Sequence, residues 1–176
     1  DGISKCFAAT GVRLGWAFGP EPIIRKMKQI IAHIGAWSPK PEQVATGRFL
    51  MNTSAVDEFF DDFKNELFTR LNTFYEGIMK IKGSGYDVDA IYPQGALYLT
   101  VKLNLLGKKT ADGKVLNSID DVLGYILEEG KIALVPFYAF GADKDSPWFR
   151  LSVGTCSKEE AKEAVKILKE TIEKLK

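Results

Sequence analysis

Soft metal ligands are scarce in this chain: its 176 residues hold two cysteines and one histidine. Cys6 and Cys156 stand near opposite ends, and His33 stands alone. A structural zinc site draws four such ligands from short spacings, so no metal site is expected. Two distant cysteines make no disulfide framework, and a reducing cytoplasm is the expected compartment. Charge of one sign is lacking too. Lys and Arg total 24 against 23 Asp and Glu, for a formal net charge of +1. No basic stripe points to nucleic acid, and no block of like charge points to a disordered tail. No apolar run reaches the roughly 18 residues that suggest a membrane span. No signal peptide, internal repeat or low-complexity segment is visible.

What remains is an ordinary globular composition, 45% hydrophobic and 27% charged. It suffices for one good core, or for a small domain plus part of another. Leu14 to Phe18 reads as a short apolar strand ending at Gly19-Pro20. Pro22 opens a helix whose apolar side is Ile23, Ile24, Met27, Ile30, Ile31 and Ile34, with Gly35 as its stop. Pro41 starts another helix, through about Met51. Ser54, with Asp57 three residues on, is the expected cap of a long helix ending before Gly83. Val56, Phe59, Phe60, Phe63, Leu67, Leu71, Phe74, Tyr75 and Ile78 recur along it at helical spacing, as core.

Beyond Gly85 the pattern changes. Tyr86–Tyr92, Ala96–Leu103, Ile132–Val135 and Trp148–Val153 read as strands. Ser118 with Asp121, and Ser157 with Glu160, mark the starts of two further helices. The order predicts an α+β layer, a small sheet covered by helices on one side.

Chemistry concentrates at the front of the chain. Lys5 stands among Ser4, Cys6 and small residues, and Arg13 follows eight positions later between Gly11 and Gly15. Small residues and glycines let a backbone approach a bulky ligand. A lysine amine condenses with an aldehyde, and an arginine grips a phosphate through two parallel bonds. Pyridoxal 5'-phosphate carries both groups. The plain alternatives are a solvated lysine and a surface ion pair. A third cation, Arg150, sits inside the apolar run Trp148-Phe149-Arg150-Leu151-Ser152. Charge there is costly unless paired, so Arg150 meets either a structural acid or a ligand's carboxylate.

The run GISKCFAATGVRLGWAFGP resembles the cofactor-lysine segment of fold-type I pyridoxal-phosphate aminotransferases of class I/II, the aspartate aminotransferase-like enzymes. WSPKPEQVA, YPQGALYL, VPFYAFG and FRLSVGTCSKEE resemble further segments of that family in the same order, so the resemblance spans essentially the whole chain. It implies that Lys5 forms the Schiff base and carries protons, and that Arg13 and Ser4 hold the cofactor. Arg150 would grip the substrate's α-carboxylate, or else pair with an acid of the family's preceding half, and Ser38 would reach the neighbouring subunit's cofactor phosphate in a homodimer. Two positions depart from the family. Gly2 stands where many members place a serine, and Phe137 where they place a glycine.

In that family the lysine lies past the middle of the polypeptide. The resemblance therefore implies a C-terminal fragment of a pyridoxal-phosphate-dependent transferase fold, α/β in class. Residues 1–54 would be a remnant of the large cofactor-binding domain, 55–85 the interdomain helix, and 86–176 the small C-terminal domain. The implied function is amino transfer between an α-amino acid, aspartate or aromatic, and a 2-oxo acid. The alternatives are another lyase reaction on the same fold and a non-catalytic effector-sensing domain of a regulator. The isolated fragment is expected to be inactive.

Overall fold

A computed structural model describes all residues 1–176. The chain divides into two compact units, Asp1–Lys64 and Asn65–Lys176.

The first unit begins with a single helical turn, α1 (Ile3–Cys6), and a 3-10 turn at Thr10–Val12. Two helices follow, α2 (Glu21–Ile34) and α3 (Lys40–Leu50), and then the opening turns of α4 (Thr53–Gly83). Pro22 and Pro41 both occupy first turns, where a missing N–H removes no helical bond. Gly35 closes α2 in the left-handed region, at φ 67°. The first unit buries Ile3 and Leu14. Around Phe7 gather Phe49 of α3 and Phe59 and Phe60 of α4, with ring centroids 5.5, 5.5 and 4.8 Å away.

Two expectations change here. Leu14–Phe18 forms no strand; a lone bridge joins Gly15 to Gly2. A strand is stable only beside a partner, and this unit offers Gly15 only that one residue. Trp16 and Phe18 are accordingly exposed. The cap of α4 is also displaced. Asn52 Oδ1 accepts the Ala55 N–H and the Ser54 hydroxyl, so the helix starts at Thr53 and Ser54 lies inside it. Asparagine caps at least as well as serine, and here it stands one residue nearer the true start.

The second unit is a four-stranded antiparallel sheet with helices against one face. In chain order the strands are β1 (Val88–Ala90), β2 (Tyr98–Leu103), β3 (Val135–Pro136) and β4 (Trp148–Ser152), arranged β1-β2-β4-β3. Strand alternation sorts the faces. Leu99, Val101 and Leu103 of β2 and Phe149 and Leu151 of β4 point into the core. They meet Leu71, Phe74, Ile78 and Ile81 of α4 and buried residues of α5 (Ile119–Gly130) and α6 (Lys158–Glu173). Tyr98, Thr100, Lys102, Trp148 and Arg150 take the other face. Thr100 lies directly opposite Arg150, and Tyr98 opposite Ser152.

The strands are shorter than the pattern predicts. β1 stops at Ala90 as the chain turns through Pro93 and Ala96, the latter at φ 61°. Of the expected Ile132–Val135 only Val135 pairs with β4, and β3 ends on Pro136, which has no N–H to continue the ladder. Both expected capping boxes form. Ser118 exchanges bonds with Asp121 at α5, and Ser157 with Glu160 at α6. The Tyr125 hydroxyl donates to Thr171 O at 2.8 Å and fastens α5 to α6. No helix is long and apolar enough to cross a membrane.

Candidate active site

The lysine segment is an ordered knot of backbone. Lys5 sits in α1, its side chain exposed and free of any hydrogen bond or ion pair within the chain. Phe7, two residues on, anchors the segment in the aromatic cluster of α3 and α4. Ala8 and Arg13 both adopt left-handed backbone, at φ 50° and 57°. Each such residue costs about 1–2 kcal/mol where the side chain is not glycine. The surroundings hold them there. The Thr10 hydroxyl donates to Ser4 O at 3.0 Å, and Arg13 Nη1 donates to Thr10 O at 3.0 Å. The Ser38 hydroxyl donates to Arg13 O at 3.0 Å, and Gln43 Nε2 to Ser38 O at 2.6 Å. Ser4, Arg13 and Ser38, far apart in sequence, thus belong to one hydrogen-bonded chain. No acid of the chain pairs with Lys5 or Arg13.

Gly2 has a physical reason to depart from serine. A Cβ there would come within 3.0 Å of Leu14 O and 3.1 Å of Gly15 Cα. The close crossing of the two backbones, where Ile3 N–H donates to Leu14 O at 3.2 Å, leaves little space for a side chain.

In the second unit, Arg150 stands mid-strand on the sheet face away from the core. Its Cζ lies 4.3 Å from the Tyr98 ring centroid and 4.9 Å from that of Phe140. Each such contact is worth about 0.5–2 kcal/mol, more where water is excluded. Arg150 Nε is buried without a hydrogen-bond partner. No Asp or Glu of this chain forms an ion pair with this guanidinium. Phe137 begins a 3-10 turn, Phe137–Phe140, closed by Gly141 at φ 93°. The turn is tied to α5 by the Tyr138 hydroxyl, which donates to Asp120 Oδ1 at 2.5 Å. That bond to a carboxylate raises the Tyr138 pKa above the usual phenol value.

Sequence reasoning missed Thr10, Phe7 and the rings over Arg150. From sequence, Tyr98 is only one residue of the strand Ala96–Leu103. Only the register, which puts Tyr98 diagonal to Arg150 on one face, gives it this neighbour. His33 lies exposed at the end of α2, and Cys6 is half-buried with its thiol donating to Gly2 O at 2.9 Å. Tyr92 packs edge-on to Tyr75, with centroids 5.2 Å apart.

One segment thus carries an exposed amine and a guanidinium without acidic partners in this chain, and the sheet carries a second such guanidinium. Comparison with known proteins gives this description a family. The sequence pattern of aminotransferase class I and II matches residues 1–168. The chain is 31% identical to an aspartate aminotransferase of Rhizobium meliloti (strain 1021), over 94% of its own length and 38% of that protein's. It is 29% identical to an aspartate aminotransferase of Bacillus subtilis (strain 168), over 99% of its own length and 40% of that protein's. The crystal structure of the aspartate aminotransferase from Rhizobium meliloti matches with a TM-score of 0.81 at 30% identity, covering 99% of this chain and 41% of that one. The aromatic aminotransferase from Pyrococcus horikoshii OT3 also gives 0.81, at 22% identity over 98% of this chain and 42% of that one, and attests the fold alone. The chain therefore belongs to the class I and II aminotransferases, and it spans about two fifths of the length of these relatives.

The family implies pyridoxal phosphate, and the donor set here fits that group. It needs a primary amine for its aldehyde and cationic or N–H donors for its phosphate. Lys5 and Arg13 could supply both from one segment, with no acid of this chain paired to either.

Proposed function

We propose that this chain is part of a pyridoxal-phosphate-dependent aminotransferase that moves an amino group between an α-amino acid and a 2-oxo acid. The observation that carries the reading is the Lys5–Arg13 segment, held by its own hydrogen bonds, free of acidic partners in this chain and lying within the family match. The names of the relatives favour aspartate as the amino acid, with aromatic substrates the other class. Residues 1–54, 55–85 and 86–176 would then serve as part of the cofactor-binding domain, a connecting helix and the small domain. A homodimer is the expected assembly, and Ser38 is the residue that would serve the neighbouring subunit.

When bound, the cofactor withdraws electrons from the bonds at the substrate's α-carbon. The protein's part is positioning and proton transfer. Lys5 would hold the cofactor's aldehyde end, and its amine would serve as the acid and base for the proton at the substrate's α-carbon. Arg13 would neutralise the phosphate, with Ser4 beside it. Arg150 receives the α-carboxylate, and its planar fork suits two parallel bonds better than a lysine would.

The test is transfer of a 15N-labelled amine from aspartate to a 2-oxo acid by the complete polypeptide. Lys5→Ala should abolish it. Arg150→Lys should lower kcat/KM about tenfold to a thousandfold, or about 1.4–4 kcal/mol, with cofactor absorbance nearly unchanged. Release of cofactor by Arg150→Lys, with substrate saturation untouched, would reverse the assignment of the arginines.

A further inference from the structure

The Arg150 guanidinium has an unusual set of neighbours. It has no acidic partner within this chain, and its Nε is closed off from water without a hydrogen bond. A long side chain without directional partners normally samples several rotamers, and ordering it costs entropy. What this arginine has instead is aromatic surface. Tyr98 supplies one ring at 4.3 Å and Phe140 another at 4.9 Å from Cζ.

Both rings are themselves fixed. Tyr98 is set by the β2–β4 register, two residues along from the Thr100–Arg150 pair. Phe140 is 55% exposed, yet its turn is held at three points. Gly141 N–H donates to Tyr138 O at 3.1 Å. The Tyr138 hydroxyl ties the turn to Asp120, and Phe137 meets Phe140 edge-on at 6.0 Å. An exposed phenylalanine in so constrained a turn is not spent on the core. With Nε enclosed and ring surface against the guanidinium, the terminal N–H edge is left to meet a ligand.

We propose that Tyr98 and Phe140 are positioning residues for Arg150: their rings fix the plane of the guanidinium so that its terminal N–H edge is presented to a carboxylate. The proposal rests on the reading of Arg150 as a carboxylate receptor. It adds that the receptor is held by aromatic surface rather than by an acid. An acid would hold it equally well but would compete with the ligand for the same donors.

The experiment uses the complete polypeptide, with succinate as the probe. 15N relaxation at Arg150 Nε reports side-chain order, and succinate titration followed at the same signal reports affinity. The parent and Tyr98→Phe should show an ordered Nε and equal affinity. Tyr98→Leu and Phe140→Leu should show a mobile Nε and about tenfold weaker succinate binding, with melting temperature little changed. Phe140 is half-exposed, so Phe140→Leu decides the matter even if Tyr98→Leu unfolds the chain. Leucine variants that keep both order and affinity would overturn the positioning role while leaving the carboxylate reading standing. A parent Arg150 signal that ignores succinate would sink the carboxylate reading and this proposal with it.

Discussion

Arg13 shows most plainly how one residue can be kept at a cost to stability. Its left-handed backbone is a conformation that glycine adopts freely and arginine does not. Nothing in its own side-chain bonding compensates fully: a single bond, to Thr10 O, lies at the surface. Strain of this kind is retained where a side chain serves a ligand. Arg13→Gly should therefore stabilise the chain by about 1 kcal/mol in a urea melt, since it relieves the backbone and removes only an exposed bond. The same change should weaken pyridoxal phosphate binding to the complete polypeptide. A variant that loses stability instead would show that Arg13 is a structural residue. At this scale the sequence was informative about residue type and spacing. Lys5, Arg13 and Arg150 could be picked out as cations among small or apolar neighbours. Their partners could not. The bond from Ser38 to Arg13 O joins residues separated by a helix, and the Tyr98–Arg150 contact depends on strand register.

Among the elements, the helices were more legible than the strands. Periodicity and proline placement defined α2, α3 and α4 to within a few residues, and the two serine capping boxes fixed the starts of α5 and α6. These are local signals. A strand depends on its neighbour, so Leu14–Phe18 has apolar character without a ladder, and of the expected Ile132–Val135 only Val135 pairs with β4. The exposed Ile23, Ile30 and Ile34 of α2 carry the same lesson, because periodicity marks an apolar side but not what covers it. One helix contact was invisible in the pattern. α4 and α6 approach so closely at Gly77 that a Cβ would fall 2.3 and 2.7 Å from the two methyls of Val165. Gly77→Ala should therefore destabilise by about 1–3 kcal/mol, despite alanine's better helix propensity. Adding Val165→Ala should recover part of the loss. If Gly77→Ala alone raised the melting temperature, the packing between these helices would be looser than the structure has it.

For the whole molecule, polar interactions at the surface set a dependence on pH. The Lys102 ammonium donates to Asp87 at 2.7 Å, and that bond, with one from Asn104, lowers the Asp87 pKa below the usual carboxylate value. Lys82 does the same for Asp89, also at 2.7 Å. Asp121 and Glu160 are lowered by Ser118 and Ser157 in the two capping boxes. A carboxyl with a depressed folded-state pKa contributes stability above its unfolded pKa, near 4, and loses it as pH falls through the folded value. Stability should thus be nearly flat from pH 7 to 5 and fall below about pH 4. Added salt should weaken the Asp87 and Asp89 contributions, since these ion pairs lie near the surface. Urea melts at several pH values check this. A chain equally stable at pH 3 and pH 7 would mean that these bonds do not persist in solution.

The central claim is that Lys5 is the residue that joins this chain to a cofactor, and a single chemical experiment addresses it. The complete polypeptide, saturated with pyridoxal phosphate, is reduced with borohydride, digested, and its peptides are mapped by mass. The account predicts one dominant phosphopyridoxyl group, on Lys5, and its disappearance when an amino acid substrate is added before the reductant. A dominant label on any other lysine, or a spread over surface lysines that substrate does not diminish, would contradict it.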